Sequence, residues 1–179
     1  MIATFFQCEP TAADRERWRA ELAATPSATR RDERLMLFLF RVGGECFGIE
    51  PAHVEFIAPM PAIHSMPHRG TALAGVVNVR GAVTLCFSLA SILGCAAGPA
   101  TTTHPMLLVL ALRGWRVACR VDAAAGVEGF PPAAKLPAPA TLHAAGRTHL
   151  KGLFPSAAGR DVGWLDANSL FDAFHAAAG

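Results

Sequence analysis

The sequence predicts a mainly β protein that consists of two similar small barrels sharing one core. From Leu35 onward, short apolar runs of strand length alternate with turns that contain glycine. The same order of strands, turns and a closing helix occurs twice, with a nearly constant offset between corresponding residues. Two copies are too few for a solenoid, which needs at least about three repeats. The repeat therefore favours two barrels over a stacked array.

A charged leader is predicted to precede this body. Charged side chains make up 17% of the 179 residues and are concentrated in residues 1–34, so we separate this leader from a body at 35–179. Thr11 and Asp14 have the spacing of a helix cap, and residues 11–24 are predicted to form a short helix. The apolar fraction of 52% excludes global disorder.

The first half of the body, roughly 35–98, is predicted to contain two hairpins, one further strand and a short helix. The first hairpin turns at Gly43–Gly44, and the second turns at Arg80–Gly81. The strand between them stops at Pro59, because proline cannot donate to a strand ladder. The helix runs from Ser88 to Gly94, since serine is a good N-cap and glycine a good C-cap.

The second half, roughly 105–175, repeats this order. Gly114 corresponds to Gly44, and Leu150 corresponds to Leu73. The last strand again leads into a helix. Residues 95–104, which contain Gly98–Pro99, are predicted to link the two halves.

No catalytic residue, metal ligand or cofactor site is predicted. The usual glycine-rich phosphate-binding and nucleophile motifs are missing from the sequence. His64 and His68 have i,i+4 spacing, but Pro67 opposes the helix that would align them on a metal. Cys46 and His53 are close in sequence, but Cys46 lies within a strand. Three acids could form a carboxylate pair only if the fold joined them: Asp122, Glu128 and Asp166. A binding module is therefore the default prediction.

Composition also limits the compartment and the partners. The cysteine count is odd, CxxC is missing, and three cysteines lie in strand-like runs, which favours reduced thiols in the cytoplasm. A net charge of +2 gives no strong attraction to nucleic acid. Since no apolar run reaches about 18 residues, direct membrane insertion is not expected.

The segment from Gly75 to Gly81 has the features of a contact site. Gly75 lies inside an apolar strand, where glycine permits a bulge or the close approach of another backbone. Asn78 can hydrogen-bond nearby main chain. Because Arg80–Gly81 forms the turn, Arg80 is predicted to project from a rigid hairpin, where it could contact a partner.

This segment resembles the hallmark strand of the CheW family of chemotaxis coupling proteins, which reads roughly Gly-x-x-Asn-Leu-Arg-Gly. The resemblance extends over about 35–175 and includes the opening hairpin, Val54-Glu-Phe-Ile, Leu150-x-Gly152 and Leu165–Asp166. It implies two SH3-like five-stranded β-barrels around a common core, with short helices. This fold agrees with the repeat described above.

The resemblance also implies a function. CheW-like proteins are adaptors without chemistry of their own, so no enzymatic activity and no cofactor are expected. They connect the cytoplasmic signalling tip of a chemoreceptor to the regulatory domain of a CheA-type histidine kinase. Other CheW-like proteins are further possible partners. The expected location is the cytoplasm, with recruitment to membrane-associated receptor arrays.

The family's contact positions transfer to particular residues of this chain. The hallmark strand gives Gly75, Asn78 and Arg80, and a neighbouring receptor-contacting strand gives Val54 and Phe56. The second barrel supplies the remaining positions by resemblance: Asp122, Val127, Leu150 and Gly152.

Three departures from the family pattern suggest a specialised paralogue. Phe56 stands where the family often has glutamate, with Glu55 one place early. Ser88 replaces a common aspartate, and Ala124 replaces a common valine. The sequence leaves open an alternative, in which a β-barrel module senses a small molecule or regulates a complex outside a receptor array.

Overall fold

The computed structural model describes residues 34–67, 70–95, 105–138, 144–155 and 159–179. These residues belong to one compact unit, Arg34–Gly179. Apart from Arg34, the predicted leader with its helix at 11–24 lies outside the described residues, as does most of the predicted linker.

The described residues form ten strands and three α-helices. The strands are β1 Leu35–Val42, β2 Glu45–Ile49, β3 Val54–Pro59, β4 Leu73–Val79, β5 Ala82–Ser88, β6 Met106–Leu112, β7 Trp115–Val121, β8 Ala123–Phe130, β9 Leu150–Phe154 and β10 Val162–Leu165. The helices are α1 Leu89–Leu93, α2 Ala144–Thr148 and α3 Ala167–Ala178. Short 3-10 turns lie at Pro51–His53 and Pro132–Ala134.

The strands form two five-stranded sheets. Sheet 1 has the order β8-β1-β2-β10-β9, and sheet 2 has the order β3-β6-β7-β5-β4. Neighbouring strands are antiparallel except for β2 with β10 and β5 with β7, which are parallel. The prediction of a mainly β fold with short helices is confirmed.

The two sheets are related by the sequence repeat, but each sheet combines strands from both halves. Each of the strands β1 to β5 has a counterpart five places later, among β6 to β10. Exchanging every strand with its counterpart converts the order of one sheet into that of the other. The β1–β2 hairpin joins β8, β9 and β10, whereas the β6–β7 hairpin joins β3, β4 and β5. The contiguous lobes predicted at 35–98 and 105–175 therefore do not coincide with the sheets. Equivalent hairpins present similar edges, so local sequence does not determine which half each one joins.

The equivalence of the halves extends to single residues. His64 forms an isolated bridge to Val76 on β4, and Leu136 forms the equivalent bridge to Leu153 on β9. The edge strands β3 and β8 each carry a bulge at the same place in their pairing with β6 and β1. A polar side chain, from Ser88 or Asp166, accepts a backbone hydrogen bond at the start of α1 and of α3.

Buried side chains form one shared core and two inner clusters. The shared core takes residues from both sheets and from α3, including Phe47, Phe87 and Phe174. Sheet 2 encloses a cluster that draws on each of its strands: Phe56, Val77, Cys86, Leu107 and Ala118. Sheet 1 encloses another: Leu37, Cys46, Phe130, Phe154 and Val162. A cluster lined by all strands of one sheet is consistent with an SH3-like barrel.

Candidate protein-interaction site

The β4–β5 hairpin holds Arg80 in a rigid turn. Arg80 has φ 51° and Gly81 has φ 87°, and two positive φ angles in a two-residue loop are typical of a type I′ turn. The Oδ1 atom of Asn78 accepts a hydrogen bond from the backbone N–H of Gly81 at 2.8 Å. The local roles predicted for Asn78 and for the turn are therefore confirmed.

The Arg80 side chain lies against an aromatic ring on another strand. Its Cζ atom is 4.2 Å from the centroid of the Phe56 ring, within the range of a cation–π contact. Phe56 is half-buried on β3, while Arg80 is exposed. Since β3 and β4 are opposite edges of sheet 2, this contact also brings the two edges of the sheet together.

The acid next to Phe56 on β3, Glu55, forms an ion pair with Arg116 and not with Arg80. Glu55 is the extra residue of the β3 bulge, because Val54 pairs with Leu110 and Phe56 with Val109. Its carboxylate accepts hydrogen bonds from Arg116 on β7, with a distance of 2.6 Å from Nε to Oε2. Sequence reasoning missed this ion pair, because β3 and β7 both pair with β6 and are brought close only by contacts that are distant in sequence.

Gly75 allows a loop to cross β4. Its φ is 142°, and a Cβ atom at this position would overlap the carbonyl oxygen of His64. The backbones of His64 and Val76 exchange two hydrogen bonds of 2.9 Å. The predicted bulge and close backbone approach at Gly75 are both confirmed.

Exposed apolar side chains flank the hairpin and the crossing loop. Val83 on β5 pairs with Asn78 and is 79% exposed. Ile63 and Met66, in the segment that crosses β4, are also exposed. The exposure of Val83 could not have been identified from the sequence, because the apolar alternation of β5 places Val83 on the same face as Leu85 and Phe87, which pack in the shared core.

Among the other predicted contact residues, Val54 belongs to the same sheet. It lies on β3, half-buried against the shared core. Sheet 2 therefore brings together five predicted residues: Val54, Phe56, Gly75, Asn78 and Arg80.

The remaining predicted residues lie elsewhere. Asp122 connects β7 to β8, and its Oδ2 atom accepts a 2.7 Å hydrogen bond from the backbone N–H of Gly43 in the β1–β2 turn. Val127 is 53% exposed on β8, at one edge of sheet 1. Leu150 and Gly152 lie on β9, at the opposite edge. The predicted residues therefore form no single surface.

Gly152 has a packing role that matches that of Gly75. A Cβ atom there would lie 2.7 Å from Cε of Lys135 and 2.9 Å from the carbonyl oxygen of Leu136. The glycine thus admits the Leu136 bridge onto β9, as Gly75 admits the His64 bridge onto β4.

The described thiols are poor nucleophiles. Burial raises the pKa of Cys86 to about 11, and burial together with the Glu45 carboxylate raises the pKa of Cys95 to about 12. Burial also raises the pKa of Cys46 and, more strongly, that of Cys119. Since the thiolate is the reactive form, these sites disfavour nucleophilic catalysis by cysteine. Among the described residues, no group of three His, Cys, Asp or Glu is placed to hold a metal ion.

One cavity in sheet 1 could admit a small molecule. It has a volume of about 340 Å³ and lies between β2, β9 and β10. Its lining combines apolar side chains with charged ones, among them Phe47, Leu150, Leu153, Arg160 and Asp161.

Comparison with known proteins identifies the family. The CheW-like domain matches residues 36–175, which include both sheets and most of α3. The chain belongs to the CheW-like domain family. Within the parts of the chain that the structure describes, no helix has the length and apolar character needed to span a membrane.

Two relatives place this CheW-like chain among known proteins. It is 32% identical over 91 residues to a probable chemotaxis protein CheW of Rhizobium etli, a match that covers 51% of this chain and 58% of the relative. Its fold is similar to the crystal structure of the scaffolding protein TtCheW from Thermoanaerobacter tengcongensis, with a TM-score of 0.64 and 16% identity. That match covers 75% of this chain and 85% of TtCheW.

Proposed function

We propose that this CheW-like protein is a non-enzymatic adaptor that couples chemoreceptors to a CheA-type histidine kinase. The observation that carries the proposal is the family match, which spans both sheets at residues 36–175. The names of the two similar proteins, a chemotaxis protein and a scaffolding protein, are consistent with it. The protein would act in the cytoplasm and be recruited to receptor arrays at the membrane, where many weak contacts together give a stable assembly.

Two surfaces would divide the partners between them. The sheet 2 surface, formed by Val54, Phe56, Asn78 and Arg80, would bind the signalling tip of the receptor. The edges of sheet 1, with Val127 and Leu150, would contact the kinase regulatory domain or another CheW-like protein. Gly75 and Gly152 would support these surfaces, since both are buried and admit a crossing backbone.

The substitution Arg80→Ala tests the proposal. We expect it to weaken recruitment of the receptor tip or the kinase regulatory domain in pull-downs with purified partners. Loss of the contact with Phe56 should cost only about 0.5–1 kcal/mol of stability, as for an exposed cation–π pair. Arg147→Ala, at an exposed position on α2, is the matched control and should bind as the wild type does. Unchanged recruitment of both partners by Arg80→Ala would exclude Arg80 from the interface.

The cavity in sheet 1 supports a second candidate function, a module that responds to a small apolar molecule. Its volume of about 340 Å³ lies within the range of ligand sites. Saturable binding of a small molecule by the purified protein without partners would favour this function. Co-purification with a receptor signalling tip would favour the adaptor.

A further inference from the structure

The sheet 2 surface presents one arginine whose charge is not neutralised within the described residues. Arg80 contacts the ring of Phe56, and no carboxylate of the described residues lies within ion-pair distance of it. Glu55 adjoins Phe56 in sequence, but its carboxylate is held by Arg116. Among the described residues, no acid therefore balances the charge of Arg80.

The position of this charge is fixed from two sides. The Asn78 side chain closes the turn that carries the Arg80 backbone. The Cζ atom of Arg80 lies over the Phe56 ring, and the planar fork of a guanidinium matches a planar acceptor such as a carboxylate. A long arginine side chain that is already held loses less conformational freedom on binding than a free one.

Sheet 2 exposes apolar side chains on the same hairpin and beside β4. Val83 lies two residues beyond the turn and is 79% exposed, and Ile63 and Met66 are exposed beside β4. A cation on a sheet that also exposes apolar side chains complements a segment that carries a carboxylate among apolar residues, because apolar contacts around an ion pair exclude water from it.

We infer that Phe56 is a positioning residue, which holds Arg80 as an uncompensated cation so that the surface selects a receptor tip with an exposed carboxylate. The inference rests on the proposed function, since it names the chemistry of the partner at that same surface. Phe56 acts through Arg80, and Arg80 contacts the partner.

Three substitutions at Phe56 test this role. Phe56→Glu places a carboxylate next to Arg80 within the protein, so we expect affinity for the receptor tip to fall by up to about fivefold, the equivalent of one exposed ion pair. Phe56→Leu keeps apolar volume but removes the aromatic face, and a smaller loss is expected. Phe56→Trp keeps the aromatic face and should restore affinity, since tryptophan is the strongest cation–π partner.

Two measurements separate positioning from a general effect on folding. Affinity should be measured between about 0.05 and 0.5 M salt, where the Debye length shrinks from above 10 Å to below 5 Å. Wild type and Phe56→Trp should lose affinity steeply with salt, and Phe56→Glu should lose less, because its cation is already paired. The NMR resonance of the Arg80 side-chain N–H reports directly whether an aromatic ring lies next to it. This resonance should shift in Phe56→Leu and stay near the wild-type position in Phe56→Trp.

The outcomes distinguish this inference from the proposed function. If the wild type binds no receptor tip, the adaptor function fails and the inference fails with it. If the wild type binds and Phe56→Glu binds equally well with the same salt dependence, only the inference is overturned. If Phe56→Glu loses affinity only for the kinase regulatory domain, the assignment of the carboxylate to the receptor is overturned. If Phe56→Glu does not fold, Phe56→Leu and Phe56→Trp decide: equal affinity for both would overturn the role of the ring.

Discussion

Gly75 shows how the lack of a side chain can determine local structure. The backbone of His64 crosses β4 at this residue, and any Cβ atom would occupy the space of the His64 carbonyl oxygen. The φ of 142° adds a second requirement, because L residues rarely adopt it. The crossing loop also carries Ile63, so Gly75 shapes the proposed interaction surface without contacting a partner.

We predict that Gly75→Ala destabilises the protein by roughly 2–4 kcal/mol, from steric overlap and backbone strain together. Gly81→Ala is the matched control, because Gly81 has φ 87° with no atom within 4 Å of the added Cβ. The control isolates backbone strain and should cost about 1–2 kcal/mol. Urea denaturation of both variants measures the difference. Equal costs would mean that the loop moves aside.

Single residues were the part of the site that the sequence predicted best. The roles of Gly75 and Asn78 follow from properties of glycine and asparagine within a few residues of the chain, and both were confirmed. The contact between Arg80 and Phe56 could not be predicted in this way. It depends on the curvature that brings the two edges of sheet 2 together.

At the scale of elements, α3 and α1 show how equivalent segments diverge. Both helices directly follow a strand and begin at an N-cap side chain. However, α1 stops at Gly94, whose φ of 66° ends the helix after five residues. In α3, alanine and phenylalanine continue the helix to Ala178, and Leu170, Phe171 and Phe174 are buried in the shared core. Both helices were predicted, because caps and glycine stops are local signals.

The start of α3 is also joined by a histidine to the turn that precedes β9. The Ser169 hydroxyl donates to the Thr148 carbonyl oxygen, so its oxygen accepts from Nδ1 of His149 at 2.7 Å. Burial lowers the pKa of His149, while a backbone hydrogen bond at Ser169 and the Asp166 carboxylate oppose this shift. The folded protein therefore favours the neutral ring.

We predict that the partly buried His149 ring makes the folded protein less stable as the pH falls. A histidine whose folded pKa lies below its ordinary value of about 6.5 contributes fully above that value and less as the pH falls through its folded pKa. The melting temperature of the wild type should decrease from pH 7 toward pH 5 more steeply than that of His149→Gln, which carries no titratable ring. Parallel pH profiles for the two proteins would show that His149 does not couple to folding.

At the scale of the whole molecule, the two halves of the sequence are interleaved. Each sheet takes a hairpin from one half and three strands from the other. The sequence predicted the repeat and the shared core, because both follow from strand order and apolar pattern. It could not predict the exchange of hairpins, because β1 pairs with β8 and β6 with β3 across long stretches of chain.

We predict that neither half folds as a monomer on its own. Residues 34–98 lack β8, β9 and β10, which complete sheet 1, and residues 105–179 lack the three strands that complete sheet 2. Each fragment alone should show no cooperative thermal transition as a monomer. Mixing the two fragments should restore the native circular dichroism spectrum, with the intact chain as the reference. A cooperatively folding monomer of either half would contradict the interleaved topology.

The interleaving has a consequence for biosynthesis. Translation proceeds from the N-terminus, so the β1–β2 hairpin leaves the ribosome before every neighbour that will flank it in sheet 1. Leu37 and Leu39 cannot complete their cluster until β8, β9 and β10, which supply Phe130, Phe154 and Val162, have been synthesised late in the chain. For most of the time that the nascent chain is growing, an apolar hairpin is therefore available to ribosome-associated chaperones.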